Sequence, residues 1–189
     1  MNPTQTLWLI FASLWAVAEI AIVIKTRTAN EAKSAAFRSA KWIWWAIIAA
    51  LIMALAFKRW QLVPIPLDYQ LRQIIALLLF SVGLALRFYA IASLGRFFTT
   101  TAMVQDQHQL INHGPYRFIR HPAYSGLLIS FFAAGLAMGD WLALFSLCAP
   151  LAYALAKRIQ YEESLLIGYF GQVYYDYCQR TKKLIPWVY

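Results

Sequence analysis

Long apolar runs decide what this chain can fold into. Residues 7–24 hold one charged side chain, Glu19, residues 126–156 hold only Asp140, and a third run over about 71–94 has Arg87 inside it. A further run opens at the aromatic cluster Trp42, Trp44 and Trp45 and ends near Phe57. A hydrocarbon layer ~30 Å thick is crossed by a helix of ~20 mostly apolar residues, and each run is of that order or longer. Composition agrees: 61% of residues are hydrophobic and 13% charged, against ~45–50% and ~25% in soluble domains. A disordered chain is excluded, and a small polytopic membrane protein is the reading.

The stretch 126–156 is too long for one span and too short for two generous ones. Gly139-Asp140 near its middle predicts a tight hairpin of two short spans turning at 138–140, with Pro150 kinking the second arm. Pro64 and Pro66 mark a break after the second run. The N-terminus lacks the positive region of a signal peptide, so the first run counts as a retained helix. The expected fold is an all-α integral membrane protein of about five transmembrane helices. Three lie in 1–94; the second half, 95–189, comprises a polar loop to about Tyr124, the hairpin, and a tail from Lys157 that is helical to about Arg180. These two polar pieces, each about 30 residues, are too short for a Rossmann-type domain, which needs well over ~100.

Five spans put the two ends on opposite sides, and charge bias orients them. Of 17 Lys and Arg residues, only Lys58, Arg59 and Arg72 fall on one side, with Arg87 inside a span. The other side, holding the C-terminus and both polar pieces, is expected to be cytoplasmic, with the N-terminus outside. Topology and anionic membrane lipids thus account for the net charge of +9, and no nucleic-acid partner is needed. Cys148 and Cys178 stand alone and form neither a disulfide framework nor a metal pattern. Glu19 and Arg87 lie at similar depth and are expected to face the bundle interior. They pair there, or Arg87 snorkels to the surface.

Chemistry is concentrated in the two polar pieces. Gly114-Pro115 signals a turn, and His121-Pro122 opens the next helix with proline near the first helical position. Arg120 and His121 therefore sit at a helix N-terminus, which favours an anion, and Arg120 offers a fork suited to a carboxylate. Tyr124 and Gly126 follow within one turn, where Gly126 lets a second backbone or a flat ligand approach closely. The plainer reading makes Tyr116, Arg117 and Arg120 interfacial anchors. Glu162 and Glu163 point about 100° apart on a helix, so one turns inward while the other faces water or a cation. Tyr161, Tyr169, Phe170, Tyr174, Tyr175 and Tyr177 make the tail rich in rings that pack or stack.

The ordered set Arg120-His121-Pro122-Ala123-Tyr124-Ser125-Gly126, Glu162-Glu163, then Phe170-Gly171 with Tyr174 and Tyr177, resembles the isoprenylcysteine carboxyl methyltransferase family. Gly114-Pro115-Tyr116-Arg117 and Leu184-Ile185-Pro186 are also similar to that family, and the length is that of its shorter prokaryotic members. The resemblance implies an enzyme of the cell membrane that uses S-adenosyl-L-methionine without a Rossmann domain. Its cofactor-binding residues map to Arg120, His121, Tyr124, Gly126, Glu162 and Glu163, with His113, Tyr116 and Leu110 as further lining. It implies a lipophilic or prenylated acceptor entering from the bilayer, most simply the carboxylate of an isoprenylcysteine-like compound, with Arg120 and Glu163 as the catalytic pair. An ionised carboxylate needs no general base, so catalysis is mostly alignment, worth ~7–11 kcal/mol. The competing functions are phospholipid N-methylation, which would want a base such as His113 or Glu163, and methylation of a small thiol. A nicotinamide-dependent reductase would want more basic phosphate contacts. A transporter or scaffold would show repeats and helices broken at mid-membrane, whereas the polar residues here gather at one face.

Overall fold

A computed structural model describes residues 3–26, 35–98 and 109–186, without the side chains of 35–47 or of a few residues at the ends of the first helix. The basic stretch from Lys25 to Lys41, the cluster of Trp42, Trp44 and Trp45, and loop residues 99–108 thus have side chains outside the described residues. The described residues form six α-helices: α1 Pro3–Thr26, α2 Ala35–Trp60, α3 Tyr69–Leu94, α4 Pro122–Met138, α5 Trp141–Phe170 and α6 Gln172–Arg180. Short 3-10 turns at Gly95–Phe97 and Gly114–Arg117 flank the polar loop. Among the described residues, three helical stretches are long and apolar enough to cross a membrane, Thr6–Ile24, Tyr69–Phe97 and Trp141–Phe170, and Pro122–Met138 is a shorter apolar helix. The chain is an all-helical integral membrane protein.

One boundary differs from expectation. The tail from Lys157 is no separate element, because α5 runs unbroken for 30 residues and ends only at Gly171. The change to polar residues at Lys157 marks a change of surroundings and breaks no backbone hydrogen bond, so the helix continues. Gly171, at φ 56° and ψ −128°, adopts a conformation that side chains with a Cβ resist, and there the chain turns into α6. At 1.5 Å per residue α5 is about 45 Å long, so its last turns reach past a ~30 Å hydrocarbon layer. Helix α4 starts at Pro122, where the His121-Pro122 pair places it.

One end of the bundle is stapled by Asp140, which is fully buried. Its Oδ1 accepts from Leu142 N (2.8 Å) and Ala143 N (3.2 Å), capping α5, while Oδ2 accepts from Val63 N (2.7 Å). The 61–68 connection is thereby tied to the α4–α5 turn, with Ile65 N donating to Gly139 O and Trp141 N to Val63 O. Above this staple α3 and α4 meet backbone to backbone. A Cβ on Gly126 would lie 2.5 Å from Gly83 O, and one on Gly83 2.7 Å from Gly126 O.

Helix α1 leans on α3 through aromatic edges: Trp8, Phe11 and Trp15 all meet the Phe80 ring at centroid distances of 5.4, 6.4 and 5.9 Å. Trp8 Nε1 donates to Gln73 Oε1 (2.6 Å), and Gln73 Nε2 to Ala137 O (2.8 Å). Glu19 and Arg87 form a two-pronged pair, Nε to Oε1 at 2.5 Å and Nη2 to Oε2 at 2.8 Å. Arg87 does not snorkel.

Candidate functional site

The end of the bundle opposite the Asp140 staple gathers the polar side chains. The 3-10 turn Gly114–Arg117 presents Tyr116 inward, where it packs with Ala90 and Ala123. The chain then runs beside the C-terminal segment: Ile119 and Lys182 form a parallel bridge, Arg120 N donates to Lys182 O (2.8 Å) and His121 N to Lys183 O (3.0 Å). Ser125 Oγ donates to Leu184 O (2.6 Å), and Tyr177 Oη to Tyr116 O (2.6 Å). The two polar pieces are therefore joined through backbone as well as side chains.

Helix α5 supplies the carboxylates, and their divergence follows from helical geometry. Glu163 takes Arg120 Nε on Oε1 (2.7 Å) and Lys183 Nζ on Oε2 (3.2 Å). Arg120 spends its Nη1 on the carbonyls of Cys178 (3.2 Å) and Thr181. Its guanidinium thus binds loop, α5 and tail into one unit. Glu162 faces the other way. Arg158 Nε donates to both Tyr124 Oη (2.5 Å) and Glu162 Oε1 (2.9 Å), so the Tyr124 hydroxyl hydrogen goes to Glu162 Oε1, 2.5 Å away. The His121 and Tyr124 rings stack at 5.6 Å with an interplanar angle of 11°. His121 Nδ1 lies 3.7 Å from Glu162 Oε2 and Nε2 3.5 Å from Glu163 Oε1. Among the described residues Nε2 is buried without a hydrogen-bond partner.

Between these elements lies an open cleft, whose empty space comes to about 860 Å³ with the solvent at its mouth included. Leu94, Phe97, Leu110, Ile111, Ala123, Leu165 and Leu166 form apolar walls, with Tyr116, Arg120, His121, Tyr124, Glu162, Tyr174 and Tyr177 as polar lining. Burial holds the phenols of Tyr116, Tyr174 and Tyr177 well above the ordinary tyrosine value. They remain neutral donors at any physiological pH. The Cys178 thiol is likewise pushed up by burial.

Of the residues singled out from sequence, Leu110, Tyr116, Arg120, His121, Tyr124 and Glu162 line the cleft. Glu163 sits behind Arg120 and is not part of the lining. His113 is exposed and precedes the 3-10 turn, outside the lining. Gly126 is buried in the seam with α3, its Cα toward Gly83 O and Arg87 N. Sequence reasoning missed the place of Arg158 in the site and the lining by Leu165 and Leu166. The signal was present in the spacing: Arg158, Glu162, Leu165 and Leu166 stand at i, i+4, i+7 and i+8 of one helical face.

The isoprenylcysteine carboxyl methyltransferase (ICMT) family model matches residues 74–168, which hold the α3–α4 seam, the polar loop and the Glu162-Glu163 pair. A probable protein-S-isoprenylcysteine O-methyltransferase of Oryza sativa subsp. indica is 34% identical over 129 residues, covering 64% of this chain and 64% of its own. The methanethiol S-methyltransferase 2 of Bradyrhizobium diazoefficiens is 33% identical over 152 residues, covering 74% of this chain and 57% of its own. The chain thus spans just under two thirds of the rice relative it matches. Among solved structures, a eukaryotic intramembrane Ras methyltransferase ICMT superposes with a TM-score of 0.61 at 24% identity, over 76% of this chain and 51% of that one. That likeness is one of fold. The match to the family model spans half the chain and contains the Arg120–Gly126 and Glu162-Glu163 signatures, and on that ground this chain belongs to the isoprenylcysteine carboxyl methyltransferase family.

Proposed function

We propose that the chain is a membrane methyltransferase that takes its methyl group from S-adenosyl-L-methionine and passes it to a lipophilic carboxylate, an isoprenylcysteine-like compound in the first instance. The observation that carries this reading is the closure of loop, α5 and α6 over one cleft, in which the Glu162 carboxylate, the His121 imidazole and apolar walls line the same space. That set fits a ligand bearing an ammonium, a carboxylate and a flat base. Glu162 would take the ammonium or the ribose hydroxyls. The His121 ring and the N-terminus of α4 would take the carboxylate. Leu94, Phe97, Leu165 and Leu166 would enclose the base.

When bound, the cofactor supplies a methyl group on a positively charged sulfur, already activated for transfer. The protein's share is alignment. Arg158 stands one helical turn before Glu162 on α5, hence nearer the membrane, and its guanidinium would meet the carboxylate of an acceptor whose tail stays in the bilayer. Arg120 and Glu163, committed to each other, would hold the pocket's shape and orient the acceptor through it. The cleft would open to the cytoplasm, with five spans and the N-terminus outside, as the distribution of Lys and Arg favours. Membrane lipids would surround the spans, and the membrane would be a cell membrane.

A second acceptor class is favoured by the likeness to a methanethiol S-methyltransferase: a small thiol would fit the same cleft. Calorimetric titration of the detergent-purified chain with S-adenosylhomocysteine tests the cofactor. Saturable binding that is lost in His121→Ala and weakened in Glu162→Gln is expected; a well-folded sample that binds nothing overturns the reading. Methylation of a farnesyl-cysteine analogue, compared with that of an alkyl thiol, then assigns the acceptor.

A further inference from the structure

Arg87 has a third partner besides the two oxygens of Glu19. Its Nη1 donates to Ala123 O at 3.2 Å, in the first turn of α4. That carbonyl belongs to the peptide unit joining Ala123 to Tyr124, whose N–H donates to His121 O (3.0 Å). One peptide plane is therefore held at both ends, by Arg87 on its carbonyl and by His121 O on its N–H, and His121 and Tyr124 are the residues whose rings stack in the cleft. Ala123 itself lines the cleft wall. Glu19, from a helix whose remaining surface carries the exposed side chains of Leu14, Val17 and Ile20, fixes the guanidinium from behind, and its Oε1 also accepts from Trp15 Nε1 (3.0 Å). Neither charge reaches the cleft lining, and a merely space-filling contact would need neither.

Resting on the cofactor reading above, we infer that Glu19 and Arg87 are positioning residues for the reaction. Helix α1 sets the angle of Arg87, Arg87 sets the Ala123–Tyr124 peptide, and that peptide aims His121 at the cofactor and the Tyr124 hydroxyl at Glu162. The relay requires a donor at position 87 that reaches a carbonyl; a charge pair alone does not suffice.

The discriminating variant is the double substitution Glu19→Leu with Arg87→Met in the full chain. Replacing both members of a buried pair with apolar side chains of similar size is often neutral or stabilising, so the thermal midpoint should hold. Affinity for S-adenosylhomocysteine should fall roughly tenfold, the loss expected for one charged donor. The charge-swapped pair Glu19→Arg with Arg87→Glu serves as a second test, because a carboxylate at 87 restores the ion pair yet offers Ala123 O no hydrogen. It should recover the midpoint lost in Glu19→Leu alone while leaving the affinity low. Wild-type affinity in either folded variant overturns the relay while the cofactor reading stands. A wild-type chain that binds no S-adenosylhomocysteine overturns the cofactor reading, and the relay with it.

Discussion

Substituting Gly126 by alanine separates two roles for the glycine that closes the Arg120–Gly126 signature. The new Cβ would stand 2.5 Å from Gly83 O, 2.7 Å from Arg87 N and 2.9 Å from Arg87 Cβ. Ordinary contact begins near 3.4 Å, so the helices must part by about 0.9 Å, and two of the three obstructing atoms are backbone that cannot rotate away. Overpacking of this kind costs ~1–3 kcal/mol, offset by ~1 kcal/mol from the better helix propensity of alanine. With rigid neighbours the upper end applies, leaving a net loss of about 2 kcal/mol. At ~2–4 °C per kcal/mol for a chain of this size, the thermal midpoint in detergent should drop by about 4–8 °C. The same movement lengthens the 3.2 Å bond from Arg87 Nη1 to Ala123 O past the range of a hydrogen bond, so cofactor-analogue affinity should fall with stability. A midpoint that holds or rises would refute the seam. A midpoint that holds while affinity vanishes would place Gly126 against the ligand.

Gly171→Ala is a different case, since nothing lies within 4 Å of the added Cβ and only the backbone conformation resists. A loss of ~1–3 kcal/mol is expected, read as a lower midpoint, together with weaker analogue binding because α6 carries Tyr174 and Tyr177 into the cleft. The raised phenols of Tyr116, Tyr174 and Tyr177 give a pH signature. Their contribution is complete below the unfolded tyrosine value of about 10 and is lost as pH climbs toward the higher folded values, so Tyr177→Phe should flatten the alkaline fall in midpoint. Methyl transfer to a carboxylate should be level from pH 6 to 9, whereas transfer to a thiol should rise toward ~8.5; initial rates across that range decide.

The sequence makes some of this plain and hides the rest for physical reasons. Pro122 announces the start of α4 because a proline at the first helical position loses no hydrogen bond, and the divergence of Glu162 from Glu163 follows from helical periodicity alone. The end of α5 is harder to read. The polarity change at Lys157 reports a change of surroundings, and only Gly171 reports the backbone. Gly126 signals a close approach without saying to what, and the answer, Gly83, is forty-three residues away in another helix. The union of Arg120 and His121 with Lys182 and Lys183 leaves no trace in residue type, since it is made by backbone N–H and C=O groups that every such residue possesses.

That union bears on what kind of chemistry the site suits. Its strong cations and anions, Arg120 with Glu163 and Arg158 with Glu162, are already paired and hydrogen-bonded in the fold, so bringing a ligand in requires little rearrangement of charge. Preorganised groups of this sort assist reactions in which charge must be placed rather than created. Transfer of a methyl group to an ionised carboxylate is such a reaction, because a positive donor and a negative acceptor become two neutral products and no proton moves. A thiol or amine acceptor adds a proton to be removed. The imidazole lining this cleft is that of His121, whose Nε2 already lies 3.5 Å from Glu163 Oε1. A ring so engaged is poorly placed to take a proton from the acceptor, and the geometry therefore favours an acceptor that arrives already ionised.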